Sequence, residues 1–108
     1  MTTTYAVTLL DEAVADLQRL ADFAIERELA SETPDWTTPQ RALDAIGQGI
    51  RLLSWSPYSC RKAELGNGRS RELIVPFGDA GYVVLFEIVG NHVVVGAVRH
   101  QREEDYRR

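Results

Sequence analysis

The stretch "GYVVLFEIVGNHVVVGAV", residues 81–98, decides the fold. Residues 81–88 are apolar at odd and even positions alike, the mark of a strand buried on both faces and so placed inside a sheet. Gly90-Asn91 offers the positive-φ residues of a tight hairpin. The chain then returns through 92–98, with Val93, Val94 and Val95 in succession. Directly after this returning strand come Arg99, His100, Arg102, Glu103, Glu104 and Asp105, closed by Tyr106. A strand that must sit within a core thus runs into a dense polar cluster. Either the strand simply reaches the surface there, or the cluster is where the protein meets a target.

Working outward, "RELIV" (71–75) reads as a third strand, stopped by Pro76, and "GNG" (66–68) as the turn before it. Near the N-terminus, "YAVTLL" (5–10) alternates Tyr5, Val7 and Leu9, a strand pattern. Residues 11–29 carry Ala13, Leu17, Leu20, Ala21, Ala24 and Ile25 at helical spacing, with Asp11 and Glu12 where a helix start favours negative charge. Pro34 interrupts the linker 31–36. A second helix is expected over 37–54, with Thr38 as cap and Pro39 in its first turn. Its stripe is Ala42, Leu43, Ile46, Ile50 and Leu53, and Gly47 and Gly49 suggest close packing on the first helix. The order β-α-α-β-β-β predicts an α+β fold over residues 1–108 as one domain: a helical hairpin on one face of a small antiparallel sheet.

The composition excludes several classes of function. The net charge is −4 and the isoelectric point about 5.1, so nucleic acid is not bound through bulk field. The charge is uneven: residues 1–60 hold four Arg against nine Asp/Glu, and residues 61–108 hold eight basic against seven acidic side chains. A single cysteine, Cys60, allows no intrachain disulfide and fits a reducing cytoplasm. No leading segment reads as a signal peptide, and no apolar run reaches the roughly 18–20 residues of a membrane helix. His92 and His100 stand in different contexts with no metal-ligand spacing, Gly66 and Gly68 open no phosphate loop, and no GxSxG is present. No metal or cofactor is expected.

Three segments taken together resemble a known family: "REL" (71–73), "GYVVLF" (81–86) and "AVRHQREEDY" (97–106). With "YAVTLLDEAVADL" and "RALDAIGQGIRLLSWSP" upstream, the whole chain resembles the toxin subunits of the ParE/RelE superfamily of type II toxin–antitoxin, or plasmid-stabilisation, modules. The resemblance implies that family's fold and a cognate ParD-like or related antitoxin, dimeric and bound in a hetero-oligomer. One branch of the superfamily cleaves mRNA on the ribosome. There a basic residue follows the Gly-Tyr pair and basic residues line the preceding strand, whereas here Val83 follows Gly81-Tyr82 and the strand reads Glu72, Leu73, Ile74, Val75 after Arg71. The other branch inhibits DNA gyrase by binding, and "PFG…GYVVLF" and "RHQRE" resemble it more closely.

The resemblance therefore favours a gyrase inhibitor that binds and does not hydrolyse, with no direct sequence-specific nucleic-acid contact. The alternatives are a ribosome-dependent ribonuclease and a non-toxic antitoxin-binding module. Arg99, His100, Arg102 and Tyr106 are the candidate target-binding residues, and His100, Arg102 and Tyr106 the catalytic set if the chain cleaves RNA. Arg61, Arg69 and Arg71 are the candidate antitoxin-binding residues. The plainer alternatives are a solvated tail, whose surface pairs contribute about 0–1 kcal/mol, and a hydrated basic loop.

Overall fold

The computed structural model describes residues 4–64 and 68–102. Strand β1 (Ala6–Leu9) leads into helix α1 (Asp11–Leu29) and helix α2 (Thr38–Leu52); a single 3-10 turn (Pro57–Ser59) precedes β2 (Arg61–Lys62), and β3 (Ser70–Phe77), β4 (Ala80–Val89) and β5 (His92–His100) follow. The sheet order is β1-β5-β4-β3-β2. β4 is therefore the middle strand, as its two apolar faces require. The α+β class and the helical hairpin on one face are as the sequence predicts.

The sheet itself departs from expectation in three places. It is mixed, because β1 pairs parallel to β5, with Val7 beside Val93 and Leu9 beside Val95; the remaining pairs are antiparallel. A short additional strand, β2, borders β3 through Arg61 and Lys62. And β3 does not stop at Pro76 but runs through it to Phe77. A proline survives in a strand only where its nitrogen points away from the ladder. β2 reaches no further along β3 than Glu72, so β3 has an open edge beside Pro76. The β3–β4 turn is Gly78-Asp79, with Gly78 at φ 60°. In the β4–β5 hairpin Gly90 alone takes positive φ, 61°, and Asn91 does not, which is the II′ pattern.

Strand alternation divides the side chains between two faces. Leu73 and Val75, Tyr82, Val84 and Phe86, and Val93, Val95 and Val98 meet the helices through Ala13, Leu20, Ala42, Ile46 and Leu53. Phe86, Ile46, Leu53, Val84, Val93, Val95 and Val98 are fully buried. Each contributes about 1.5–3 kcal/mol gross, most of it offset by chain entropy. A β-bulge lies between Leu85 and Phe86, opposite Ala97 and Val95. It makes Gly96 the extra residue, so Val95 and Val98 face the helices together although three positions separate them.

Two local readings need correcting. Thr38 is the first residue of α2 and not its cap; Thr37 holds the cap position without a side-chain cap bond, and Asp35 fixes it from the preceding turn, its Oδ1 accepting the Thr37 main-chain N–H at 3.0 Å and the Thr37 hydroxyl at 2.6 Å. The Thr37 bonds hold the Asp35 carboxyl below its ordinary pKa. Gly49 serves packing on β3, not on α1. A Cβ there would lie 2.9 Å from Val75 Cγ2 and 3.1 Å from Leu73 Cδ2, whereas at Gly47 it would meet only the Arg51 guanidinium.

Candidate functional site

The sheet face turned away from the helices carries Ile74, Val83, Leu85, Val94 and Ala97 in its centre, with Glu72, Glu87 and Arg99 among them. Val83, level with Ile74 and Arg99, is fully buried. Among the described residues, Arg61 and Arg99 reach this face from its borders, and both are already engaged. Arg61 Nε lies 2.5 Å from Glu72 Oε1, and Glu72 is only 6% exposed. Arg99 is ion-paired to Asp16 of α1.

Asp16 explains why the last strand can run out to a polar end. β1 stops at Leu9, beside Val95, so the outer edge of β5 is uncovered from there on. The bulge at Gly96 turns the Val98 N–H toward that edge. A buried donor without a partner costs about 1–3 kcal/mol. Here Asp16 Oδ2 accepts it at 2.9 Å, and the same carboxylate holds Arg99, with Arg19 at 3.9 Å on its far oxygen. One acid of α1 thus stands in for the missing strand and fixes the guanidinium at the strand end. In the sequence it reads only as one of many carboxylates on a solvated helix face.

The predicted target residues part company here. Arg99 faces outward and belongs to the Asp16 pair. His100, the next residue, turns to the helix side. Its ring meets Tyr82 edge-on with centroids 5.5 Å apart, and its Nδ1 accepts the Arg102 main-chain N–H at 3.1 Å. His100 and Arg102 border a cleft of about 280 Å³ between the looped end of the helical hairpin, where α1 ends and α2 begins, and the β3–β4 turn. Phe23, Phe77 and Tyr82 give it aromatic walls; Arg27 and Arg102 stand against Glu28 and Asp79. Burial pushes the Tyr82 hydroxyl above its ordinary pKa, and the Arg27 charge partly opposes this. The cleft therefore does gather two guanidinium groups with the imidazole, but on the helix side of the sheet and with two carboxylates to balance them. Tyr106 lies outside the described residues.

The candidate antitoxin-binding residues lie toward the other end of the sheet. Arg71 Nη1 donates to the Cys60 carbonyl at 2.7 Å, and its guanidinium lies 5.0 Å from the centre of the Tyr58 ring. Arg61 is held by Glu72, and Arg69 is exposed just before β3. Cys60 is buried, and desolvation raises its thiol pKa. Among the described residues no helix is long and apolar enough to cross a membrane.

The same arrangement of two helices on a five-stranded mixed sheet occurs in solved toxin–antitoxin structures. A chain of the chromosomal ParDE system from P. aeruginosa matches with a TM-score of 0.68 at 13% identity, over 92% of this chain and 98% of that one. A chain of the RelBE2 toxin–antitoxin complex from Mycobacterium tuberculosis matches with a TM-score of 0.63 at 20% identity, over 95% and 98%. At these identities the likeness is one of fold. Among curated proteins none matches the chain in sequence. The family model described as "ParE toxin of type II toxin-antitoxin system, parDE" matches residues 7–105. With nearly its whole length matched by that model, the chain belongs to the ParE toxins of type II toxin–antitoxin systems.

Proposed function

We propose that this toxin arrests growth by binding DNA gyrase, and that a cognate antitoxin neutralises it in a hetero-oligomer. One observation carries the choice of target: the open sheet face is apolar at its centre, and the guanidinium groups on its borders are paired with Glu72 and Asp16. Cleaving an RNA bond needs cations held ready for a phosphate and a group to move the proton. A largely apolar face whose cations are already engaged suits association with a protein surface. The antitoxin reading draws on the chains that this fold resembles, which come from toxin–antitoxin systems.

The purified chain is expected to inhibit gyrase-catalysed supercoiling and to accumulate cleaved DNA, while cell-free translation continues. Intact supercoiling activity together with mRNA cut on ribosomes would reverse the assignment. The ribonuclease reading has its own support in the His100 cleft, where an imidazole lies beside Tyr82, Arg27 and Arg102. On that reading His100→Ala abolishes mRNA cleavage; on ours it leaves gyrase inhibition within about threefold of the unmodified chain, as expected for a side chain outside the interface.

A further inference from the structure

The gyrase reading leaves the His100 cleft without a role, yet its walls have the makings of a small-ligand site. Its volume of about 280 Å³ lies at the lower edge of ligand pockets, which run from about 300 to 1,000 Å³. That space suits one ring with a short charged arm. Three aromatic side chains offer such a ring their surfaces. Phe23 is 51% exposed and borders the entrance; Phe77 and Tyr82 are less exposed, with centroids 6.1 Å apart and planes tilted by 42°. Tyr82 is 7% exposed, and among the described residues its hydroxyl has no hydrogen-bond partner. No side-chain polar atom among them is buried without a partner, so this hydroxyl opens onto the cleft. Its raised pKa keeps it a donor at neutral pH.

The charges define the ligand. Arg27 of α1 and Arg102 beyond β5 border the cleft, and so does Asp79 of the β3–β4 turn. Arg27 lies near enough to the Tyr82 hydroxyl for its charge to act on it. Among the described residues none of these three charged side chains has an ion pair or a side-chain hydrogen bond. The fourth charge, Glu28, is committed: its Oε1 accepts the Asp35 main-chain N–H at 2.8 Å. Two guanidinium groups against two carboxylates leave the cleft formally neutral, which disfavours a dianion and suits a zwitterion. We infer that the cleft binds a free amino acid with one aromatic ring: the ring between Phe23, Phe77 and Tyr82, the carboxylate on Arg27, Arg102 and the Tyr82 hydroxyl, and the ammonium on Asp79. Charge-assisted bonds at both ends fix the direction in which the ligand lies.

The inference rests on neither the gyrase nor the antitoxin reading, and calorimetric titration of the full chain tests it. L-phenylalanine is expected to fill one saturable site. N-acetyl-L-phenylalaninamide keeps the ring and loses both charges, and is expected to bind about tenfold more weakly or worse. Arg27→Ala and Asp79→Asn are each expected to weaken L-phenylalanine binding about fivefold, and Tyr82→Phe about threefold. Arg27 and Asp79 are exposed and hold no described neighbour, so their variants remain informative if Tyr82→Phe unfolds. The absence of saturable binding, binding undiminished in both charge variants, or equal binding of the neutral amide overturns the inference.

Discussion

Replacing Asp16 with alanine is expected to lower the thermal midpoint by about 10–20 °C, the equivalent of roughly 2–3 kcal/mol in a domain of this size. The substitution does two things at once. It removes the acceptor of the Val98 N–H, on a strand edge that no neighbour covers, and it leaves Arg99 without its counter-ion. A hydrogen bond to a charged group contributes about 1.5–3 kcal/mol, and a partly buried pair that loses one partner costs more than a surface pair. The side chains are 13% and 29% exposed, so solvent softens the loss without cancelling it. Asp16→Asn separates the two contributions: an amide oxygen can still accept from Val98, so about half of the loss is expected to return. Differential scanning calorimetry of both variants checks this. A midpoint within 2 °C of the unmodified protein for Asp16→Ala would mean that the edge needs no cap, contrary to the general cost of an orphaned backbone donor.

The second large effect is expected at Gly81. A Cβ placed there would collide with the main-chain carbonyl oxygen of Val75 and stand 3.1 Å from Pro76 Cα. The obstacle is backbone on the neighbouring strand, which cannot swing aside as a side chain can. The Gly81 carbonyl also accepts the Gln101 N–H at 2.8 Å, so displacement of β4 is passed on to the end of β5. Gly81→Ala is therefore expected to cost about 3 kcal/mol, the upper range of overpacking. A urea titration reads this as a lower midpoint at unchanged slope. An unchanged midpoint would show that β3 and β4 can part at this point without penalty.

Much of this architecture is legible in the residues, and the parts that are not share a cause. Helix α1 emerges with the bounds that its apolar spacing and acidic first turn indicate. The two-sided apolar run of β4 places it in the middle of the sheet, and Gly90 marks the hairpin. What the sequence does not encode locally is pairing between distant segments. The alternation of Tyr5, Val7 and Leu9 says strand but gives neither its partner nor its direction, and β1 lies parallel to β5, almost the whole chain away. β2 is two residues long and has no periodicity to detect. Pro76 reads as a terminator because the rule assumes a neighbour on both sides, and β3 lacks one there.

The site follows the same rule. Arg99 and His100 are adjacent and read in the sequence as one cluster, but strand alternation sends them to opposite faces: one to Asp16 and one to the cleft with Tyr82. Asp16 could be found only through its contact with Val98, 82 positions away in the chain. The signal in the sequence is indirect: Gly96 inside a valine strand marks a bulge, and a bulge redirects a backbone donor that something must satisfy.

Under the proposed function, the open sheet face is the surface that captures gyrase. Leu85 is half-buried at its centre, level with Glu72, and a lysine there can lie beside Glu72 and Glu87 without disturbing the helix side. The decisive measurement compares gyrase inhibition by the unmodified chain, Leu85→Lys and His100→Ala, each first shown by circular dichroism to be folded. The account predicts that Leu85→Lys raises the concentration needed for half-inhibition of supercoiling at least tenfold while His100→Ala does not. Inhibition that survives Leu85→Lys and disappears with His100→Ala would contradict it and move the working surface to the cleft.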